Sequence, residues 1–555
     1  MSLRRLAREP IILAVLIAIV AIVAVFIIYP VASVMIESAR SGDRWSLANY
    51  TKFITNRYFQ QTLLNTLAVS GLSTIGGVLL GLVFAFALVR TNMPLKGFFM
   101  LMAILPLITP PFLGAFSFIL LFGRMGLINQ WLQSVFGFQF IIYGWHGVVL
   151  ANIITFFPMA FLVLISNLSA IDPRLEEAAE DLGASFWRVL RTVTLPLLVP
   201  GIFSSAILVF MFNLSAFGTP ALLEGGKLFY RGVSMLAPEA IIQILGMFDW
   251  GMGTTLAMAM LVPSVLLFVW QERYVSRRSF VTVTGMPSAF SDRPTPPAVK
   301  WSLFALCLGT SVVILAMYAV IVGAAFTRTW GVNYSFTWRH FETALGASRG
   351  SIQNSIVLSL AGALAAAGLG LLIGYMVVRK DFPGKKGLDF VSMLPYALPG
   401  IIFGLGFAVA FNRGLLVLTG TWAIIFLNHA IRRMPFALRS SVASLQQIDP
   451  SLEEASADLG ASWPRTFFRI TLPLLKPSLY AGITFSFIKT MTDITAVIFL
   501  VSPRWKLMSI DIYNYVMAGR LGVAAALSTI MVAVVLVILG IVWKVSGLGY
   551  KILKM

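Results

Sequence analysis

The sequence predicts an all-α integral membrane protein of twelve transmembrane helices, arranged as two parallel, pseudo-symmetric repeats of six. Composition is the first reason: of 555 residues, 58% are apolar and only 11% charged, far below the roughly 25% charge of soluble domains. The second is that weakly charged stretches of about 20 residues, enough to cross the hydrocarbon of a bilayer, recur along the whole chain. The third is internal duplication, because the two halves carry the same marker residues at constant spacing.

Taken in order, the candidate spans lie near residues 11–36, 62–89, 98–122, 142–166, 197–220 and 252–271 in residues 1–280, the first repeat. Residues 301–555, the second repeat, hold six more near 301–326, 354–378, 388–412, 417–438, 474–500 and 522–546. Residues 281–300 between them carry Arg293-Pro294-Thr295-Pro296-Pro297, polar and proline-rich, and are expected to form a solvated linker. At the N-terminus Arg4, Arg5 and Arg8 precede an apolar run from Ile11 to Ile36. That run exceeds the roughly 7 to 15 residues of a signal-peptide core, so it is read as an uncleaved first span.

The duplication is exact at several positions of unusual chemistry. Asn65, Arg90, Pro94, Lys96, Pro106 and Pro110 recur as Asn354, Arg379, Pro383, Lys385, Pro395 and Pro399, always 289 residues on. Pro158, Asp172-Pro173, Gly183 and Pro196 recur as Pro435, Asp449-Pro450, Gly460 and Pro473, 277 residues on. An even number of spans per half places both copies the same way up, with the repeat axis along the membrane normal. Lys and Arg are more frequent in loops on the side of the N-terminus, which predicts that both termini are cytoplasmic.

Charge and composition also exclude. Forty-one Lys and Arg against 22 Asp and Glu give a net +19, which in a soluble chain would suggest nucleic acid; here the membrane accounts for it and no nucleic-acid partner is expected. A lone cysteine, Cys307, and the scattered His146, His340 and His429 leave no disulfide framework, zinc centre or histidine triad to build. No catalytic residue, resident metal or cofactor is expected on this chain. Nor is a nucleotide site, because Gly225-Gly226-Lys227 has Ala221 and Leu228 where the phosphate-cradling pattern needs Gly and Ser or Thr.

The most informative stretch occurs twice, in the loop between the fourth and fifth spans of each half, near residues 170–196 and 447–473. It reads IDPRLEEAAEDLGASFWRVLRTVTLPLLVPG from Ile171 and IDPSLEEASADLGASWPRTFFRITLPLLKPS from Ile448. Asp172-Pro173 and Asp449-Pro450 supply an N-cap acceptor followed by a proline suited to the first helical position; Gly183 and Gly460 then stop the short helix. Nine of the 22 acidic residues fall here: Asp172, Glu176, Glu177, Glu180 and Asp181, then Asp449, Glu453, Glu454 and Asp458. Cytoplasmic membrane loops are ordinarily basic, so the surface is expected to meet something other than lipid. Complementing the helix dipole would explain one such loop better than it explains two.

At these residues the chain resembles the permease subunits of bacterial binding-protein-dependent ABC importers. Their signature is Glu-Ala-Ala, three residues, Gly, nine residues, Ile, one residue, Leu-Pro. It is met by Glu177-Ala178-Ala179, Gly183, Val193 and Leu195-Pro196, and again by Glu454-Ala455-Ser456, Gly460, Ile470 and Leu472-Pro473, with Val193 and Ser456 as the departures. The resemblance implies a type I importer permease fold, and it implies that Glu176, Glu177, Ala178, Ala179, Gly183, Pro196 and Glu453, Glu454, Ala455, Ser456, Gly460, Pro473 form coupling loops. Two copies of an ATP-binding subunit, which carries ATP and magnesium, would dock there, and an extracytoplasmic solute-binding protein would deliver cargo to this chain in the bacterial inner membrane. Single-chain fused permeases of this length look most like the ferric-iron type, with aminoethylphosphonate and thiamine permeases as relatives. An ion-coupled secondary carrier shares the six-plus-six layout but needs no docking loops.

Ionisable groups inside spans are costly and are functional candidates. Lys489 and Asp493, four apart in the eleventh span, are expected to share a helix face and neutralise each other, either along the translocation pathway or as a structural tie. The matching first-half stretch holds Asn213 but no charge. Gly77-x-x-x-Gly81 and Gly370-x-x-x-Gly374 are expected to allow close helix packing, Pro106, Pro110, Pro111, Pro395 and Pro399 to kink their helices, and His429 to hydrogen-bond between helices.

Overall fold

A computed structural model describes residues 10–41, 44–223, 234–271, 273, 295–414 and 416–546. Arg4, Arg5 and Arg8, the Gly225-Gly226-Lys227 stretch and the linker up to Pro294 lie outside the described residues. The linker's last residues are helical: Pro297 opens a helix, as its fixed φ favours.

In chain order the principal helices are α1 (Pro10–Ser38), α2 (Arg57–Arg90), α3 (Lys96–Ile104), α4 (Pro111–Phe122), α5 (Trp145–Ala170), α6 (Pro173–Asp181), α7 (Leu195–Leu214), α8 (Trp250–Trp270), α9 (Pro297–Phe326), α10 (Arg349–Arg379), α11 (Lys385–Ala397), α12 (Gly400–Ala410), α13 (Trp422–Gln447), α14 (Ser451–Asp458), α15 (Lys476–Met491) and α16 (Leu521–Ser546). Among the described residues nine helices are long and apolar enough to cross a membrane, ten if the bent pair α11 and α12 is one span. The expected count of twelve is therefore not met by length and apolarity alone. At the tenth predicted position α13 carries Arg432, Arg433 and Arg439, and at the eleventh α15 runs only 16 residues.

Proline accompanies two breaks in the helices, although Pro395, expected to kink its helix, lies inside α11, and Pro158 and Pro435 lie inside α5 and α13. α3 gives way to a tight turn at Leu105–Leu107 before Pro111 starts α4, and α11 meets α12 at 107° beside Pro399. The paired glycines allow backbone-to-backbone approach. A Cβ on Gly81 would fall 2.8 Å from the Phe161 nitrogen of α5, and one on Gly370 2.7 Å from the Leu438 nitrogen of α13, so neither position admits a side chain at this helix separation.

The chain divides into two compact units. One joins the residues up to Asn49 with Glu342–Asn514 and the chain from Thr529; the other joins Tyr50–Phe341 with Tyr515–Ser528. The first helix of each sequence repeat thus packs with the other repeat's residues. In the former unit Phe26 of α1 meets Phe411 at 5.6 Å, the Tyr29 hydroxyl donates to the Ala410 carbonyl at 3.2 Å, and Gly406 leaves room for the Pro30 backbone. In the latter unit Tyr318 of α9 donates to the Leu105 carbonyl at 3.1 Å and lies 3.0 Å from the Thr109 hydroxyl.

Candidate functional site: two acidic loops and a buried charge cluster

Each acidic loop is built as its residues dictate. Asp172 accepts from the Arg174 N–H at 3.0 Å and Asp449 from the Ser451 N–H at 2.9 Å, capping α6 and α14. Accepting that bond holds the exposed Asp449 carboxyl below its usual range. Gly183 and Gly460 then take φ of +82° and +77°, and the next N–H groups, of Ala184 and Ala461, bond back to the carbonyls of Ala179 and Ser456 at 3.0 and 3.1 Å, a Schellman-type ending. After a short helical turn and a wider π-type turn, Pro196 and Pro473 lead into α7 and α15.

The two glutamates of each Glu-Glu pair face opposite ways. Glu176 is 2% exposed and ion-pairs with Arg90, the last residue of α2, at 2.9 Å, while the Thr194 hydroxyl donates to it at 2.5 Å. Arg90 also donates to the carbonyls of Leu168 and Ile171 at 3.0 and 2.9 Å. Glu453 repeats the arrangement with Arg379 at 3.2 Å and Thr471 at 3.0 Å, and adds the Tyr375 hydroxyl at 2.9 Å, itself held by the Trp463 indole N–H at 3.1 Å. Glu176 and Glu453 therefore turn inward from the loop surface: they bolt the loops to the C-terminal ends of α2 and α10. Ser456 is buried too, sharing a hydrogen bond with Thr466 at 2.8 Å. The outward face is made by Glu177, Ala178, Glu454 and Ala455, with Ala179 half-buried.

Sequence reasoning missed the apex of each loop. Leu182 and Leu459, at corresponding positions just before the glycines, are both 90% exposed, so the same apolar side chain is presented to the outside in both copies. The signal was present, since both are leucines between an acid and a glycine in an otherwise polar helix. Arg90 and Arg379 stood out as repeat markers, but nothing local disclosed their partners.

The second feature lies in the membrane part of the second half. Asp493 accepts from Arg432 and, at 2.9 Å, from Arg433, both on α13, and from the Thr495 hydroxyl at 3.2 Å. It does not pair with Lys489, because α15 ends at Met491 and the helical four-residue spacing no longer applies. The Lys489 ammonium lies over the Phe485 ring, 5.6 Å from its centroid, and the Lys489 carbonyl accepts from Arg433 at 2.9 Å. His429, 1% exposed, packs under Gly362 and neither of its ring nitrogens has a hydrogen-bond partner, contrary to the interhelical bond expected of it. In the first half Asn213 is fully buried and donates to the Val209 carbonyl at 3.0 Å and to Thr74 at 3.4 Å.

A doubled, acid-rich loop ahead of the fifth helix of each half, in an apolar multi-helix chain, defines the membrane component of a binding-protein-dependent transport system. The chain belongs to that family, binding-protein-dependent transport system inner membrane components, which matches residues 77–280 and 366–546. It is 32% identical over 97% of its length, and 79% of the relative's, to the ferric transport system permease protein FbpB of Actinobacillus pleuropneumoniae. It is 33% identical over 90% of its length, and 80% of the relative's, to a putative ferric transport system permease protein FbpB 1 of Haemophilus influenzae. Half of the chain also aligns with 99% of a chain in the crystal structure of a bacterial alginate ABC transporter in complex with an alginate pentasaccharide-bound periplasmic protein, at 17% identity and a TM-score of 0.44. Family membership identifies a multi-pass ABC importer permease and sets aside the ion-coupled carrier.

Proposed function

We propose that the chain is the permease of a ferric-iron importer in the bacterial inner membrane, with both termini cytoplasmic. Likeness to two ferric permeases over at least nine-tenths of its length supports that cargo. An extracytoplasmic binding protein delivers the ion, and two copies of a separate ATP-binding subunit dock on the loops. In this reading Glu177, Ala178, Glu454 and Ala455 form the contact face, Leu182 and Leu459 seat in the ATPase, and the Arg90–Glu176 and Arg379–Glu453 bolts transmit its movement to α2 and α10. ATP is hydrolysed on that partner, and this chain contributes no catalytic residue. Asn213, Lys489 and Asp493 remain candidates for the translocation pathway.

The test is uptake of radiolabelled ferric iron by cells lacking the gene. Complementation by the intact chain, but not by one with Glu177→Lys and Glu454→Lys, is the expected result, together with loss of ATPase co-purification in that variant. Uptake indifferent to the gene would overturn the cargo; unchanged co-purification would overturn the docking face.

A further inference from the structure

In the unit that holds α2, Glu239 is a buried carboxylate without a counter-charge. It is 2% exposed, and no Lys, Arg or His lies within ion-pair distance of it among the described residues. Three neutral groups serve it instead. The Tyr58 hydroxyl donates to Oε2 at 2.5 Å, the Ser234 hydroxyl reaches the same oxygen at 3.4 Å, and the Gln243 amide donates to Oε1 at 2.8 Å. Buried charges are ordinarily paired or hold a metal, and none of these donors carries a charge.

The Tyr58 and Ser234 oxygens are 3.0 Å apart, so phenol, hydroxyl and carboxylate oxygens form a triangle with edges of 2.5, 3.0 and 3.4 Å. An octahedral cation with bonds of about 2.0–2.1 Å holds neighbouring oxygens roughly 2.9 Å apart. One face of such a shell is thus already assembled. Other groups hold it in place: the Asn65 amide donates to the Ser234 carbonyl at 3.3 Å and the Leu236 N–H to the Thr66 hydroxyl at 2.9 Å. Tyr58 is 37% exposed, which leaves the phenol within reach of a solute.

Tying this segment to the start of α2 does not require a phenol. In the second half the Met508 N–H donates to Ser355 at 2.7 Å and the Ser351 hydroxyl to Asp511 at 2.6 Å, a comparable tie, while Ala347 stands 289 residues on from Tyr58. The tyrosine is therefore additional to the tie.

Resting on the ferric reading, we infer that Tyr58, Ser234 and Glu239 form an entry site at which the permease first holds ferric ion. Hard cations take oxygen ligands, and among the described residues no three His, Cys, Asp or Glu side chains gather, so phenol and hydroxyl complete the donor set. Binding exchanges the phenol proton, released to water, for a bond from Tyr58 Oη to iron. The iron stays ferric, and Gln243 keeps Oε1. Three donors fill half an octahedron, which suits a site that must also release its cargo. Its position agrees. Tyr58 is the second residue of α2 and Arg90, bolted to the first acidic loop, is the last of the 34, roughly 50 Å away at 1.5 Å per residue. The site lies at the end of α2 remote from that loop, the side on which a binding protein delivers.

The test is titration of the purified, detergent-solubilised full-length chain with ferric nitrilotriacetate, read by visible absorption. A phenolate-to-iron charge-transfer band that saturates near one iron per chain is expected, with proton release. Tyr58→Phe should abolish the band, and Glu239→Gln should weaken iron binding at least tenfold. Tyr58→Phe keeps the ring and its 5.3 Å edge contact with Phe59, so it spares the fold, which the melting temperature checks. Tyr318→Phe, whose hydroxyl is engaged by Leu105 and Thr109, should leave the band unchanged. No band in the wild type, or a band that survives Tyr58→Phe, overturns the inference; so does a lower melting temperature in Tyr58→Phe as the sole effect, which makes the group a structural tie. The band without gene-dependent iron uptake would remove the cargo and keep the site, and gene-dependent uptake without the band would do the reverse.

Discussion

At matched positions the two halves have opposite chemistry. Arg432, Arg433, Lys489 and Asp493 correspond to Thr155, Phe156, Phe212 and Ala216. Where the second half ties α13 to the segment after α15 with ion pairs, the first stacks Phe156 on Phe212 at 6.1 Å and 22° and lets Thr155 donate to the Pro111 carbonyl at 3.4 Å. One backbone arrangement thus tolerates either an apolar or a charged filling, provided each is satisfied internally. The scaffold requires packing volume at these sites and does not by itself require charge.

The loops differ in the same graded way. Arg90 and Glu176 are sealed, at 3% and 2% side-chain exposure, next to Phe86 and Phe186, whereas Arg379 and Glu453 are 10% and 15% exposed. Tyr375 and Trp463, the counterparts of Phe86 and Phe186, border a cavity of about 460 Å³ there. The second carboxylate also accepts from the Tyr375 hydroxyl and has more access to water, so it should depend less on any one partner.

The largest break in the comparison should come from Asp493→Ala, which strands two guanidinium groups. Loss of about 3–5 kcal/mol is expected in thermal unfolding of the detergent-solubilised chain. Thr155→Val, at the position of Arg432, should cost no more than about 1 kcal/mol, one long hydrogen bond; equal losses would contradict the contrast. Next, Arg90→Met should destabilise by about 3 kcal/mol by leaving Glu176 buried without its guanidinium. Arg379→Met should cost about 1–2 kcal/mol, since Tyr375 and Thr471 still serve Glu453. Limited proteolysis of each loop, read beside the melting temperature, ranks the two.

Gly183→Ala and Gly460→Ala should behave alike, each costing about 1 kcal/mol for a left-handed backbone. Nothing lies within 4 Å of an added Cβ at either place, so a larger loss at one loop would reveal a contact particular to that half. The smallest effect concerns pH. Because the folded-state pKa of Asp449 is depressed, its contribution is present above the ordinary aspartate range and is lost as pH falls through the folded value. Asp449→Asn should keep a capping side chain and flatten the acid limb of the second loop's proteolytic stability, leaving the first loop unaffected.

The sequence by itself determined whatever depends on neighbours along the chain. Apolar run length located nine or ten of the twelve expected spans among the described residues, Asp-Pro and Gly bracketed α6 and α14, and proline placed the breaks after α3 and α11, because propensity, capping and dihedral limits act within a few residues. The repeat was legible for the same reason. Tertiary structure alone decided which distant groups meet. Glu176 finds Arg90, and Asp493 finds Arg432 and Arg433 rather than Lys489, across separations of about 60 to 90 residues. α1 packs with residues of the other repeat. An i,i+4 rule presumes a continuing helix and an acidic pattern presumes a surface, and both presumptions failed where a helix ended at Met491 and where Glu176 turned inward. Burial, and the end of α15 at Met491 where no glycine or proline marks it, are set by the packing of whole elements, which no local pattern encodes.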